Sequence, residues 1–200
     1  MSMNIRDRII NRALLCLSES INDGTNFVEQ DSFPIEQFVD EAGRRVIMLA
    51  PLRTLGEGNN TKAPTSKSFE NGVYTVTLPE GFARLITFKL SSWKRSVREV
   101  IYDTDPTYAW QLHPATRGGE EKPVVAITRG GTELEAYSSN SNVAAIVDFA
   151  CIIYNDANDV PEKLAEATAW MTASLYLASM GELDMSKVLE SKSIELLQLV

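Results

Sequence analysis

The sequence predicts an α+β fold in which the N- and C-terminal helices form a helical bundle and a central antiparallel β-rich segment is inserted between them. Apolar residues recur every three or four positions near both ends of the chain, β-branched and aromatic runs fill the middle, and turn signals separate these runs. With 200 residues, 44% of them hydrophobic, the chain is long enough for one substantial core. We expect the helical bundle over 1–53 and 155–200, a loop over 54–68 and the β-rich insertion over 69–154.

Two amphipathic helices are predicted in the first fifty residues. The first has one apolar stripe and a stop signal at Asp23-Gly24. The second begins near Pro34, with Ser32 as its cap, and ends at Pro51. The apolar positions are Ile5, Ile9, Ala13, Cys16, Leu17 and Ile21 in the first helix, and Ile35, Phe38, Val39, Ala42, Val46 and Leu49 in the second. Because about ten polar residues join the helices, we expect an antiparallel pair.

The β-branched and aromatic runs in the middle of the chain predict strands. Residues 54–68 are polar and without period, which predicts a long loop. Turn signals at 79–81, 117–119 and 129–131 favour an antiparallel meander in which the two Gly-Gly pairs form hairpin turns. The predicted strands are Val73–Leu78, Phe82–Ser91, Val97–Tyr102, Tyr108–Leu112, Val124–Thr128, Leu134–Ser138 and Val143–Tyr154. The last run is almost wholly apolar and predicts the central strand of the sheet, although its pattern also permits a buried helix.

Two further helices are predicted at the C-terminal end. The motif Asp159-Val160-Pro161-Glu162 predicts a capping acid, a proline in the first turn and a glutamate at the third helical position. Gly181 is predicted to end that helix, and Asp184 to cap the next one. The apolar positions are Leu164, Ala167, Met171, Leu175 and Ala178 in the first, and Met185, Val188, Leu189, Leu196 and Val200 in the second.

Composition restricts the compartment and the partners. Cys16 and Cys151 each lie in an apolar run, which predicts buried thiols rather than a disulfide. No stretch reaches the ~18 apolar residues of a membrane span, and the N-terminus does not resemble a leader, so we expect an intracellular protein that does not enter a membrane. The net charge is −8, and residues 131–200 supply all of it with three Lys and Arg against eleven Asp and Glu. This argues against a C-terminal nucleic-acid surface.

The motifs of common enzymes and cofactor sites are missing from the sequence. His113 is the only histidine, and the sequence shows neither a nucleophile nor an orienting partner for it. Asp103-Thr104-Asp105 lacks the glycine and the terminal glutamate of a calcium loop, so it predicts a polar turn, as does Glu120-Glu121. We expect no catalytic residues, no cofactor and no metal ligands. An enzyme with a shallow site at His113 is the least favoured alternative.

One basic cluster stands out. It has five cations around a tryptophan that we expect to be exposed, and its members are Arg84, Lys89, Trp93, Lys94, Arg95 and Arg98. Three interpretations are open. These side chains form the solvated face of a strand, contact the acidic C-terminal helices of a neighbouring subunit, or bind nucleic acid through phosphate contacts and base stacking.

The order of elements and several short strings resemble the head-to-tail connector (adaptor) proteins of tailed bacteriophages. Residues 78–86, Leu-Pro-Glu-Gly-Phe-Ala-Arg-Leu-Ile, resemble the L-P-x-x-F-x-R-L segment of that family, and Trp93, Arg95 and Val97 follow in a W-x-R-x-V arrangement. Residues 122–127 and 134–138 are similar to strands of ring proteins from crAss-like Bacteroides phages. Pro161-Glu162-Lys163-Leu164 and residues 167–177 are similar to the alanine-rich helix of the adaptor bundle.

The resemblance implies a virion protein, assembled in the host bacterial cytoplasm, that forms a homo-oligomeric ring of twelve copies. One side of the ring would bind the portal protein and the other side the next tail ring or the tail hub protein. DNA would pass through the lumen without sequence-specific binding, which suits an acidic chain. We expect no long arm after the last helix, and this departs from the family pattern. The alternative function is a nucleic-acid-binding accessory module that uses residues 84–98.

Overall fold

A computed structural model describes residues 3–21, 34–137 and 145–199. The chain divides into two compact units, a helical unit of residues 1–56 and 154–200 and a β unit of residues 57–153. The α+β class is confirmed, because helices at both ends of the chain flank a central β-rich region. The segment 57–68, which was expected to be a connecting loop, belongs to the β unit.

The elements follow one another along the chain in this order: α1 (Ile5–Ile21), α2 (Glu36–Leu49), α3 (Leu52–Leu55), β1 (Ser66–Glu70), β2 (Val73–Thr77), β3 (Phe82–Leu90), β4 (Ile101–Tyr102), α4 (Tyr108–Gln111), β5 (Val124–Thr128), β6 (Glu133–Tyr137), β7 (Ile146–Ile153), α5 (Ala165–Ser179) and α6 (Leu183–Leu199). The predicted loop over 54–68 is wrong at both ends, because α3 extends into its beginning and β1 starts before its end. Its polar composition did not prevent strand pairing, since β1 lies along β2.

Helix α5 is the centre of the helical unit, and α1, α2 and α6 all pack against it. Leu164, Ala167 and Met171 of the predicted face are buried, and Leu175 and Ala178 are half-buried. Burial extends beyond that face, because eleven of the fifteen residues of α5 are buried and the helix is enclosed on nearly all sides. Thr168 and Thr172 lie inside this core, and each hydroxyl donates to the carbonyl four residues earlier, at 2.8 and 2.7 Å. These bonds satisfy the polar groups that burial would otherwise leave without a partner.

The first two helices bury most of the predicted stripes. Ile9, Ala13, Cys16 and Leu17 of α1 are buried as predicted, whereas Leu49 of α2 is exposed and its assignment to the core is wrong. Both helices pack mainly on α5 and only slightly on each other. The predicted stop at Asp23-Gly24 and the cap at Ser32 lie outside the described residues.

The predicted end of α5 is confirmed, whereas its predicted N-terminal cap is wrong. Asp159 accepts from the backbone N–H of Asn155 at 2.8 Å, so it stabilises the preceding turn and the predicted cap of the helix is wrong. At the other end Gly181 adopts φ +86°. The Glu182 N–H donates to the Leu177 carbonyl at 3.0 Å, which completes a Schellman motif and confirms the predicted stop.

The β unit contains two sheets among its described residues, and neither is a simple meander. Five strands pair in the order β1-β2-β6-β5-β4, with the β4–β5 pair parallel and the others antiparallel. The remaining strands, β3 and β7, pair antiparallel with each other. The last apolar run is therefore a strand, as predicted, but not the central strand of the larger sheet. Its other edge is bridged at Cys151 by Asn60, from the segment predicted to be a loop.

Two predicted strands are wrong for local reasons. Tyr108–Leu112 contains the helical turn α4, because the Asp105 carboxylate accepts from the Thr107 N–H at 2.8 Å and turns the chain immediately before it. The other predicted strand, Val97–Tyr102, is much shorter in the structure, where β4 contains only Ile101 and Tyr102. The polar turn predicted at Asp105 is confirmed.

The two Gly-Gly pairs have different roles. Gly130 and Gly131, with φ of +65° and +92°, connect the antiparallel strands β5 and β6, which confirms the predicted hairpin turn. Gly118-Gly119 does not connect paired strands, so that predicted hairpin is wrong. The N–H of Gly118 donates instead to the Gln111 side chain at 2.8 Å, which holds the end of α4 against the approach to β5.

Candidate interaction surface

His113 lies exposed after α4, and no hydrogen bond of its side chain is present among the described residues. Its carbonyl accepts from the N–H groups of Thr116 and Arg117 at 3.1 and 3.0 Å, which closes a turn. In the described part of the chain, no three His, Cys, Asp or Glu side chains are grouped so that they could hold a metal ion.

The structure divides the predicted basic cluster, and the largest correction concerns its aromatic member. Trp93 is only 2% exposed and belongs to the core of the β unit, where its ring meets Phe88 edge to face at a centroid distance of 5.6 Å. The expectation of an exposed tryptophan is therefore wrong. The ring anchors the turn after β3 from inside the core and offers no platform on which a base could stack.

Three of the cations are already engaged or partly buried. Lys94 forms an ion pair with Glu121, and the hydrogen bond to that carboxylate raises the pKa of Lys94. Arg84 is half-buried in β3, and burial lowers its pKa. Lys89 lies directly across from Asp148 in the β3–β7 pair, which places opposite charges on neighbouring strands.

Arg95 and Arg98 remain as the exposed pair of the cluster, and we call them the Arg95–Arg98 corner. No ion pair or hydrogen bond of either side chain is present in the described ranges. Between them, Val97 exchanges two backbone hydrogen bonds with Phe88, at 2.9 and 2.8 Å, and its side chain is buried. The backbone of the corner is therefore fixed to β3, while the two guanidinium groups are open to solvent.

The second surface lies on α6, where the buried side of the helix is narrow. Ser186, Leu189, Ser193 and Leu197 are its buried residues. The Ser193 hydroxyl donates to the Ala167 carbonyl of α5 at 2.7 Å, and the Ser174 hydroxyl donates to the Ser186 carbonyl at 2.9 Å. Because two of the four buried positions are serines, α5 and α6 approach each other closely through small hydrogen-bonded side chains.

The predicted apolar face of α6 is wrong at most of its positions. Leu189 is buried as expected, but Met185 and Val188 are exposed and Leu196 is only half-buried. Val200 lies outside the described residues, and the predicted cap Asp184 is the second residue of the helix. The helix is rotated about its axis relative to the prediction, since its buried stripe is Ser186, Leu189, Ser193 and Leu197.

This rotation creates what we call the α6 outer face, formed by Asp184, Val188, Glu195 and Leu199. Spacings of four, seven and four residues place these side chains on one side of a helix. Val188 is 49% exposed and Leu199 77% exposed, and both carboxylates are exposed as well. Neither carboxylate has an ion-pair or hydrogen-bond partner within the described structure. Lys192 lies on the same side of the helix, and its ammonium group is 4.6 Å from the centroid of the Trp170 ring of α5. The face therefore combines two apolar side chains and two unpaired carboxylates with one cation that already contacts α5.

Sequence reasoning identified the Arg95–Arg98 corner but missed the α6 outer face. The signal was present, because Ser186 and Ser193 are seven residues apart and Leu189 and Leu197 continue the same stripe. Hydrophobicity alone assigned the larger side chains to the core. No protein-family model matches this chain, and no curated protein sequence does either. Within the described ranges, none of the helices has the length and apolar character that crossing a membrane requires.

Proposed function

We propose that this chain is a structural subunit of the connector ring that joins the head of a tailed bacteriophage to its tail. The observation that carries the proposal is the orientation of α6, which packs through serines and presents Val188 and Leu199 to solvent. An exposed apolar patch that polar and charged side chains surround is one kind of surface that another protein covers. A second copy of the chain is the partner that a ring requires.

The family resemblance supports the proposal at the start of β3. Leu78 is buried, the Phe82 N–H donates to the Pro79 carbonyl at 3.1 Å, and Phe82 packs against the core of the β unit. The L-P-x-x-F string thus forms a turn that directs the chain into a strand. The proposal includes the family's partners, with the portal protein on one side of the ring and the next tail ring or hub protein on the other.

The proposal also includes the virion as the location of the protein and a lumen through which DNA passes. The helical unit carries nine Lys and Arg against sixteen Asp and Glu, whereas the β unit carries ten against eleven. An acidic unit repels the phosphate backbone, so a lumen lined by such a surface would let DNA move without being held.

Self-association of the purified chain tests the proposal. We expect sedimentation velocity to show species larger than the 22.2 kDa chain as the concentration rises, and negative-stain images to show closed rings, alone or after addition of a candidate portal protein. Val188→Asp places a carboxylate on the apolar part of the α6 outer face and should abolish these species. Asn11→Asp, which changes an exposed position of α1 by the same charge, is the control and should leave them intact.

A chain that sediments as a single copy at several hundred micromolar, with and without the portal protein, would contradict the proposal. Equal association of the Val188→Asp variant and the wild type would contradict the role of α6.

A further inference from the structure

We propose that neighbouring copies meet head to tail, with the Arg95–Arg98 corner of one copy placed on the α6 outer face of the next. This inference rests on the proposed function, because it identifies the two surfaces through which the subunits would assemble. It adds the direction of the contact, which involves two different patches rather than one patch paired with itself.

The first argument is the state of the charges. Several other charged side chains have ion-pair partners within the same unit, as Arg6 has in Asp40 at 2.9 Å and Arg12 in Glu166 at 2.8 Å. The two cations of the corner and the two carboxylates of the α6 outer face have no such partner among the described residues. Two unpaired positive charges on one surface and two unpaired negative charges on another are electrostatically complementary.

The second argument is spacing. Asp184 and Glu195 are eleven residues apart on a helix, which corresponds to about 16 Å along its axis. Arg95 and Arg98 are three residues apart, which allows their Cα atoms a separation of at most about 10 Å. Arginine side chains are long enough to make up the difference by splaying apart, and their aliphatic stems would then lie on Val188, between the two carboxylates.

The third argument is the distribution of charge between the units. Two helical units brought together by their α6 faces would confront like charges, with Asp184 and Glu195 of each copy near those of the other. Repulsion between these like charges would disfavour such a contact, whereas a contact between the acidic face and the arginine corner avoids the repulsion. A contact between two different surfaces also leaves one of each free on every copy, which allows a chain of copies to continue until it closes into a ring.

The strength of the ion pairs between the corner and the α6 outer face determines what they contribute to assembly. Each exposed ion pair contributes little affinity, because solvent and salt screen its charges. The four charges therefore select the partner surface and the register, while burial of Val188 and Leu199 supplies more of the affinity. Association should weaken as salt increases, because exposed charges are screened over about 8 Å at physiological ionic strength.

Charge exchange tests the inference. Arg95→Glu with Arg98→Glu reverses the corner, and Asp184→Lys with Glu195→Lys reverses the α6 outer face. We expect each double variant alone to associate at least tenfold more weakly than the wild type in sedimentation equilibrium at low salt. The fourfold variant should associate again, because the complementarity is restored with its sign inverted. A mixture of the two double variants should also associate, whereas the fourfold variant should not mix with the wild type.

Thermal unfolding of every variant serves as the folding control, since all four positions are exposed. If the wild type and the double variants associate equally while Val188→Asp does not, the head-to-tail pairing is wrong and the proposed function stands. If the wild type never associates, the proposed function itself fails. If reversing the corner abolishes binding of duplex DNA at low salt and leaves association unchanged, the corner is a nucleic-acid surface and this inference is overturned.

Discussion

Trp93 and Trp110 show how the environment of a single residue determines its role. Both lie in the β unit, in segments rich in polar and charged residues. The sequence around each tryptophan does not show which of the two is buried. Trp93 is buried against Phe88, whereas Trp110 on α4 is 63% exposed. Burial of an aromatic ring of this size is a large stabilising contribution, so the first tryptophan holds the turn after β3 in place.

Replacement of the two tryptophans should separate these roles. We expect Trp93→Ala to lower the free energy of unfolding by about 3–5 kcal/mol, because it leaves a cavity in the core of the β unit. Trp110→Ala is the matched control and should change it by no more than about 0.5 kcal/mol. Urea denaturation measures both values. Equal effects of the two substitutions would show that Trp93 is not a core residue.

Gly43 in α2 depends on the absence of a side chain. A Cβ atom at this position would overlap the Tyr154 hydroxyl oxygen and would lie 2.9 Å from Tyr154 Cζ and 3.0 Å from a methyl carbon of Val160. The Tyr154 hydroxyl is held in place, since it donates to the Asp40 carbonyl at 2.8 Å. Tyr154, the first residue after β7, therefore packs so closely against α2 that only glycine fits at position 43.

Gly43→Ala should therefore destabilise the protein, although alanine is the better helix former. We expect a loss of about 1–3 kcal/mol from overpacking, which exceeds the gain of about 1 kcal/mol in helix propensity. In a Tyr154→Phe background, from which the overlapping oxygen has been removed, the same substitution should cost clearly less. A double-mutant cycle from chemical denaturation measures the difference, and an additive result would contradict the steric explanation.

At the scale of elements, α6 shows that a helix can be held by small side chains. Its buried stripe combines Leu189 and Leu197 with Ser186 and Ser193, and the two serines add hydrogen bonds with α5. The same arrangement leaves valine and leucine for the opposite side. The proposed assembly surface is therefore a consequence of how α6 packs.

Substitution of serines in α6 tests this packing. Ser193→Leu should cost about 1–3 kcal/mol, because the added carbons enter a close helix–helix contact, and Ser193→Ala about 1 kcal/mol for the lost hydrogen bond. Ser191→Leu, at an exposed position on the same helix, is the control and should leave the free energy of unfolding nearly unchanged. A neutral Ser193→Leu variant would indicate that the two helices are not closely packed.

At the scale of the whole molecule, each unit contains at least one buried tyrosine or cysteine whose pKa is raised. Burial is the largest cause of a raised pKa for Tyr154 in the helical unit and for Tyr137 and Cys151 in the β unit, and it raises the pKa of Cys151 to about 11 from 9.0. Tyr137 also donates to the Glu135 carboxylate at 2.6 Å, an interaction that the ionised phenol would lose. In all three groups the folded state favours the protonated form.

Stability should consequently fall at alkaline pH. A raised pKa in the folded state means that the stabilisation is complete below the unfolded pKa, near pH 9 for the thiol, and is lost as the pH rises towards about 11. We expect urea midpoints to decrease between about pH 9 and 11. Cys151→Ala should reduce this dependence, and an unchanged slope would contradict the assignment to the thiol.

The sequence by itself determined the features that depend on local chemistry. These are the α+β class, the bounds of β5, the hairpin at Gly130-Gly131 and the end of α5 at Gly181, because turn residues and apolar periodicity act over a few neighbouring positions. Of the candidate site, the exposed Arg95 and Arg98 were identified from the sequence, while the face of α6 was not.

Only the tertiary structure decided which surfaces are buried. It placed Trp93 inside the β unit, turned the serines of α6 towards α5, and paired β7 with β3 instead of placing it at the centre of the larger sheet. These outcomes depend on partners that are distant along the chain, such as Ala167 for Ser193. The free energy of burial depends on what a side chain meets in the folded protein, and a local sequence pattern does not contain that information.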